Sequence, residues 1–292
     1  MTLKLRLIIV QFLQYFILGA WLLTIGAYWF QTKQWSGTEF GAIFSTIGLA
    51  SLFMPALAGV IADRWIDAEK LYGMFHLGGA ATLFYIPLVD DPTTMFWVML
   101  LNMAFYTPSI SLSTSVSYSV MKSAGMDVVK DYPPIRMWGT VGFVAALWTI
   151  SLSQLEVSAT QFYVASVASL ALALFSLTIP RCPPLGKSAG GSWVENLGLQ
   201  GFTLFKNSNM ALFFLFVMLL GAALQITSAY SDTYLHDFAA IDAFRNAFAV
   251  KYPAVILSIS QISEALFILA VPFFMKRYGI KTVMLVSMIA WT

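Results

Sequence analysis

The sequence predicts an all-α polytopic membrane protein, and three observations lead to that fold class. Of the 292 residues, 59% are hydrophobic and 10% are charged, whereas soluble domains carry about 25% charged residues. The apolar residues form runs of about 20, the length of helix that crosses a bilayer. Charged residues collect between these runs. The composition therefore excludes an ordinary soluble domain.

Eight runs are long enough to span a membrane, and a ninth begins near the end of the sequence. The first follows Lys4 and Arg6 and lacks the short apolar core of a signal peptide, so we expect an uncleaved helix. The ninth starts at Thr282 and has 11 residues, which is too short to cross a bilayer, so we expect a chain truncated within a helix. The eight complete runs are Leu7–Phe30, Phe40–Ala62, Leu71–Val89, Thr94–Ser117, Pro134–Leu152, Gln161–Ile179, Met210–Ser231 and Pro253–Met275.

The distribution of Lys and Arg predicts the orientation in the membrane. With the N-terminus in the cytoplasm, 13 basic residues lie in cytoplasmic segments and 3 lie outside. The three outer ones are Lys33, Arg245 and Lys251. Because basic residues concentrate in cytoplasmic loops, we expect a cytoplasmic N-terminus.

A long loop after the sixth run divides the chain into two halves. Residues 181–209 contain several Pro and Gly residues, a composition typical of a linker. We therefore expect a six-helix N-terminal bundle over residues 1–180, this cytoplasmic linker, and a partial C-terminal bundle over residues 210–292. Leu18–Tyr28 and Leu220–Tyr230 share six of eleven positions, which indicates that the halves are repeats.

Glu264 is the acid that this architecture does not explain. It lies near the middle of the eighth run, whereas we expect the other 13 of the 14 acids in loops or at helix ends. A carboxylate at a helix centre costs about 2.5–3.5 kcal/mol and usually faces a cavity or a partner. Its counterpart in the first repeat is Ser51, so the shared fold does not require a carboxylate. We expect Glu264 to belong to a functional site and to be able to exchange a proton.

Polar side chains at helical spacing accompany Glu264. Gln261 lies three residues away and shares its helix face. Gln225 and Ser228 form a similar pair on the seventh run. An amide both donates and accepts, which suits a base edge or a sugar hydroxyl. Hydrogen bonding between helices would explain the same pattern.

A third polar stripe lies on the fifth run, where Arg136, Thr140 and Phe143 are spaced by four and three residues. Pro133 and Pro134 precede it, as is typical of a helix start. Arg136 alone could be an anchor at the membrane surface. If a cavity reaches it, the stripe offers a cation, a hydroxyl and an aromatic face to a flat ligand.

The second run ends in a GxxxDR motif, Gly59 to Arg64. We expect Gly59 to permit close helix approach, and Asp63 and Arg64 to act in a cytoplasmic gate. For other chemistry the sequence offers little. Neither histidine has a second ligand at metal spacing, the single cysteine excludes an internal disulfide, and no nucleophile–base pair is visible. We expect no metal, no cofactor and no enzyme activity.

Three strings show a resemblance to a known family: the GxxxDR loop, PPIRMWGT at residues 133–140 and QISEALFIL at residues 261–269. Together with the rest of the chain they resemble the bacterial nucleoside:proton symporter family of the major facilitator superfamily. The resemblance implies a major facilitator fold and proton-driven uptake of purine and pyrimidine nucleosides across the inner membrane by alternating access. Nucleosides, protons and the lipid bilayer are then the partners, and nucleic acid is not one.

The resemblance also implies which residues contact substrate. Ser228 stands where the family commonly has Asn, and Ala223 where it commonly has Glu. Two alternatives stay open: a major facilitator for another solute such as a sugar or a drug, and a non-transporting membrane sensor with the same fold. The implied substrate contacts are Arg136, Thr140, Phe143, Gln225, Gln261 and Glu264, and we expect Ser228, beside Gln225, to be a seventh.

Overall fold

A computed structural model describes residues 1–184 and 199–291, and within these ranges the chain is helical with no strand. Most of the predicted linker, residues 185–198, lies outside the described residues. In chain order the helices are α1 (Leu3–Gly19), α2 (Ile25–Ala27), a π-helical turn (Tyr28–Lys33), α3 (Gly37–Arg64), α4 (Ala68–Tyr85), a 3-10 turn (Ile86–Leu88), α5 (Pro92–Ser123), α6 (Val128–Leu152), α7 (Thr160–Ser176), a 3-10 segment (Leu199–Lys206), α8 (Ser208–Asp237), a 3-10 turn (Phe238–Ala240), α9 (Phe248–Lys251) and α10 (Pro253–Trp291).

Within the described ranges, four helices are long and apolar enough to cross a membrane: α3, α5, α6 and α8, the last together with its 3-10 turn. Thr160–Ser176 and Pro253–Phe267 are shorter apolar helices. The first run, expected as one helix, is broken after Gly19 and continues as α2 and the π-helical turn. In α10, Gly279 has a φ of 74°, a left-handed conformation that favours glycine. This bend separates the predicted eighth and ninth runs.

Side-chain caps set where several helices begin. Ser36 and Glu39 form a capping box at the start of α3. The Asp127 carboxylate accepts from the backbone of Val129 and Lys130 and starts α6. Pro133 and Pro134 therefore lie inside α6, and the expectation that they mark the helix start was wrong. The reason is the cap six residues upstream, which the proline pair obscured.

Two glycines bring α1 and α6 into backbone contact. A Cβ atom built on Gly142 would lie 2.1 Å from the carbonyl oxygen of Phe12, and one on Gly19 would lie 2.7 Å from that of Phe143. Real Cβ atoms do not approach other atoms this closely. Glycine at both positions therefore fixes α6, with its polar stripe, directly against α1.

We expect Gly142→Ala to destabilise the protein, because the added methyl group must push α1 and α6 apart. Overpacking of this kind costs about 1–3 kcal/mol. Gly59→Ala is the matched control, since a Cβ atom there meets nothing within 4 Å. Thermal unfolding in detergent, followed by intrinsic fluorescence, should show a lower midpoint for Gly142→Ala alone. An unchanged midpoint would contradict the close packing.

Hydrogen bonds between side chains join α1 to α5 and α4 inside the first half. Gln14 Nε2 donates to Ser109 Oγ over 2.9 Å, and Tyr72 donates to Gln14 Oε1 over 2.7 Å. His76 Nε2 lies 2.9 Å from the same oxygen, and its side chain is buried. His76 thus has a structural role, as part of a buried hydrogen-bond network between helices. Burying this many polar groups is tolerable because they satisfy one another.

Candidate functional site

A cavity of about 200 Å³ lies where α1, α6, α8 and α10 meet, between the two halves of the chain. It brings together six of the seven substrate-contact residues expected from the sequence. The sequence placed these residues on three separate runs, so their convergence is a result of the tertiary fold. The lining residues are Tyr15, Leu18, Leu22, Leu23, Arg136, Thr140, Phe143, Ser228, Gln261 and Glu264.

Arg136 faces the cavity from α6 and lies over an aromatic ring of α1. Its guanidinium carbon is 4.0 Å from the centroid of the Tyr15 ring, a cation–π contact. Gly139 leaves room for this pair, since a Cβ atom there would be 2.6 Å from Tyr15 and 2.8 Å from the Arg136 Nη1 atom. Arg136 is therefore held inside the cavity. Spacing along the chain could not pair Tyr15 with Arg136, because the two residues lie on different helices and 121 positions apart.

Phe143 forms a wall of the cavity and is itself mostly covered. Its side chain is 7% exposed and packs with Leu23, Leu147 and Ala254 in a small apolar cluster. Thr140, one turn before it, is half-buried and lines the same cavity. The predicted stripe on α6 thus combines a packed aromatic wall with two polar groups.

Glu264 and Gln261 line the cavity from α10. Glu264 is exposed, and within the described residues no hydrogen bond or ion pair joins it to another side chain. Gln261 is half-buried on the same helix face. The carboxylate therefore lines the cavity without a side-chain partner among the described residues and is available to a ligand.

Gln225 lies apart from the other predicted contacts. It lines a second cavity, of about 580 Å³, between α3 and α8, together with Phe40, Phe44 and Tyr230. Ser228, three residues on, lines the central cavity instead. The structure thus separates two residues that the sequence placed on one face.

At the end of α3, the predicted gate residues Asp63 and Arg64 form no ion pair within the described ranges. The expectation that Gly59 permits close helix approach was wrong, since nothing lies within 4 Å of a Cβ atom there. The ion pairs belong to Asp67, which accepts from Lys70 Nζ at 2.7 Å and from Arg181 Nε at 2.9 Å. The sequence missed this link because Arg181 is 114 residues away.

Hydrogen bonds from Lys70 and then Arg181 lower the pKa of Asp67 below its usual range. A group with a depressed folded-state pKa contributes stability above its unfolded value of about 3.9 and loses it as the pH falls through the folded value. We therefore expect Asp67→Asn to lower the unfolding midpoint at pH 7, with the difference shrinking below about pH 4. Asp63→Asn is the matched control and should have little effect at either pH. Equal effects of the two substitutions would contradict the ion-pair assignment.

Comparison with known proteins places the whole chain in one group. Residues 1–292 match the family described as Nucleoside H⁺ symporter. The chain is 51% identical over 292 residues to the xanthosine permease of Escherichia coli (strain K12), covering 100% of this chain and 70% of that protein. It is 48% identical over 291 residues to the nucleoside permease NupG of the same organism, again covering 100% and 70%.

Solved structures agree with the sequence matches. A crystal structure of the nucleoside transporter NupG, 48% identical, superposes with a TM-score of 0.91 and covers 100% of this chain and 72% of that one. A mutant form of the same transporter superposes with a TM-score of 0.95, covering 99% and 72%. The helical architecture described above is therefore that of a transporter.

Proposed function

Since this chain belongs to the nucleoside H⁺ symporter family, we propose that its central cavity binds nucleosides and carries them across the membrane together with protons. The chain is a multi-pass membrane transporter and not an enzyme, as its relatives are permeases. The family membership supports the activity.

One observation carries this assignment: the cavity combines a cation, a carboxylate and an amide on two halves of the chain. Arg136 projects from α6, and Glu264 and Gln261 from α10. A nucleoside is neutral and has donors and acceptors on both sugar and base. The carboxylate accepts from ribose hydroxyls, the guanidinium donates to base or ribose oxygens, and the amide does both. Thr140 and Ser228 supply further hydroxyls at the cavity wall.

Two predicted residue sets lie away from this cavity and remain proposals. Gln225 is three residues from Ser228, so a rotation of α8 during transport would bring it toward the cavity. Asp63 and Arg64 lie at the end of α3 and are proposed to act in a gate with partners in another state of the cycle. What supports both proposals is their position on helices that must move in alternating access.

For the membrane, we propose a bacterial inner membrane with the N-terminus in the cytoplasm. Support comes from the clustering of cations at one end of the bundle, hereafter the basic end, which contains Arg6, Arg64, Lys70 and Arg181. Arg6 donates to the Thr178 carbonyl there. Basic residues favour the cytoplasmic side, so the opposite end faces outward.

Binding of nucleosides to the purified protein tests the proposal. Titration calorimetry with uridine and with adenosine should give saturable binding, and neither maltose nor a cationic dye should compete. Competition by the sugar or the dye would favour a transporter for another solute. Absence of any nucleoside binding, and of any rise in the unfolding midpoint with nucleoside, would favour a sensor and contradict the proposal.

A further inference from the structure

Two acids and a histidine meet at the end of the bundle opposite the basic end. Glu156 lies in the loop between α6 and α7, and Asp232 and His236 lie one turn apart on α8. One carboxylate oxygen from each acid and one ring nitrogen of His236 all lie within 4.8 Å of one another. His236 Nε2 is 3.0 Å from Glu156 Oε2 and 3.8 Å from Asp232 Oδ2. From this cluster we infer a proton-binding site that joins the two halves of the transporter and is occupied when this end is closed.

The spacing of Asp232 and His236 puts them on one helix face, but the sequence does not show that Glu156 joins them. Asp232 was expected just beyond the seventh run, but α8 extends to Asp237 and the aspartate lies inside the helix. Glu264 is therefore not the sole acid within a spanning helix. The expectation that His236 has no second ligand at metal spacing was wrong, because Asp232 lies four residues before it and Glu156 reaches it from 80 residues away along the chain. Only the tertiary fold brings the three groups together.

Because the two acids of this cluster are buried, the net charge of the cluster determines how many protons it binds. Asp232 is 0% exposed and Glu156 is 3% exposed. If both carboxylates were ionised, a protonated His236 would balance one of them and leave one negative charge unpaired. An unpaired charge in a buried site is strongly unfavourable. One proton bound in addition to that on His236 removes the excess charge.

The contacts indicate which acid holds this proton. Glu156 Oε1 accepts from the backbone N–H of Ala254 over 3.2 Å, at the start of α10, where the helix dipole favours a negative charge. Its other oxygen pairs with His236. Neither carboxylate oxygen of Asp232 has a hydrogen-bond partner, although both are buried. Asp232 is thus the group that the site leaves without a donor, and it holds the proton.

Other charged groups near this end do not replace the proton. Asp237 is exposed, and its negative charge acts on His236 from the next position of the helix. Arg245 pairs with Asp242 at 2.9 Å, and Lys251 lies over the Tyr252 ring. Within the described ranges neither cation forms an ion pair with the cluster. From α7, Gln161 is a neutral neighbour that donates to the Glu156 carbonyl.

The cluster lies where the two halves close this end. Glu156 belongs to the first half, and His236, Asp232 and Ala254 belong to the second. Nearby, a Cβ atom on Gly26 would be 2.5 Å from Thr233 Oγ1, so α2 and α8 are in tight contact. Opening this end, as the proposed transport cycle requires, separates the halves and hydrates both acids. Asp232 then ionises, so each closure takes up a proton from the side that this end faces.

This inference rests on the proposed function, because closure of this end is a step of alternating access. It can be tested without nucleoside by measuring the spacing of the two halves. Spin labels are placed at Gln31 and Asn246, both exposed, in a Cys182→Ser background. Pulsed electron paramagnetic resonance then gives the distance between the two labels, one on each half. In wild type we expect the closed population to rise as the pH falls, because the closed form binds more protons.

Asp232→Asn should favour closure at neutral pH and reduce the slope of log(closed/open) against pH by about one, since one proton no longer binds. Asp242→Asn, an exposed acid at the same end, is the matched control and should keep the wild-type slope. A pH-independent distance in wild type, or an unchanged slope in Asp232→Asn, would overturn the proton site. Missing nucleoside binding by calorimetry would instead contradict the proposed function alone.

Discussion

Replacing Glu264 by Gln is expected to weaken nucleoside binding by about tenfold or more. A hydrogen bond to a charged group contributes about 1.5–3 kcal/mol, and about 1.4 kcal/mol corresponds to a factor of ten. Glu264 faces the central cavity and has no partner within the described residues. The substitution should therefore reduce affinity without reducing stability. Titration calorimetry with uridine, together with thermal unfolding, measures both quantities.

A matched control for this variant is Asp90→Asn. Asp90 lies just beyond the C-terminal end of α4, outside the cavity, and its side chain is 94% exposed. The Asp90→Asn variant should bind uridine like wild type. Arg136→Lys should also weaken binding, because lysine keeps the charge but loses the planar fork and its stacking on Tyr15. If Glu264→Gln bound uridine with wild-type affinity, the negative charge of Glu264 would not be required for nucleoside binding.

Replacing Gly26 by Ala is expected to reduce nucleoside transport strongly by keeping the end opposite the basic end from closing. The added Cβ atom would lie 2.5 Å from Thr233 Oγ1 and 3.0 Å from the Ala229 carbonyl oxygen. The two helices must therefore separate at the point where the halves meet. Uptake by vesicles containing the protein should fall, and the distance between labels at Gln31 and Asn246 should increase.

Two further variants show whether the contact between Gly26 and Thr233 causes the effect. Gly41→Ala adds a methyl group where nothing lies within 4 Å, and uptake should be unchanged. The double variant Gly26→Ala with Thr233→Ala removes the nearest clashing atom and should recover part of the uptake, since the Ala229 contact remains. Full closure in Gly26→Ala alone would contradict the tight packing of α2 and α8.

Helical periodicity explains what the sequence could predict about the site. Arg136, Thr140 and Phe143 recur at helical spacing, as do Gln261 and Glu264, so each set was recognisable as one face of one helix. Both faces line the central cavity, as expected if each faces the same binding site. Gln225 shows the limit, since spacing along a helix does not define which neighbouring helix that face meets.

Contacts between distant parts of the chain could not be predicted from spacing. Tyr15 reaches Arg136 from another helix, and Glu156 reaches His236 across 80 residues. The limits of helices were also hard to place. The Asp127 cap moved the start of α6 ahead of two prolines, and α1 stops at Gly19 although the apolar run continues. In each case a tertiary contact or a local cap outweighed the pattern of hydrophobicity.

The most direct test of the central claim is a structure of this protein determined with bound uridine. We predict that the nucleoside occupies the cavity between α6 and α10, with its polar groups within hydrogen-bonding distance of Arg136, Gln261 and Glu264. Uridine in the larger cavity beside Gln225, between α3 and α8, would contradict the assignment of the site. A structure determined at saturating uridine that shows no nucleoside between the two halves would also contradict it.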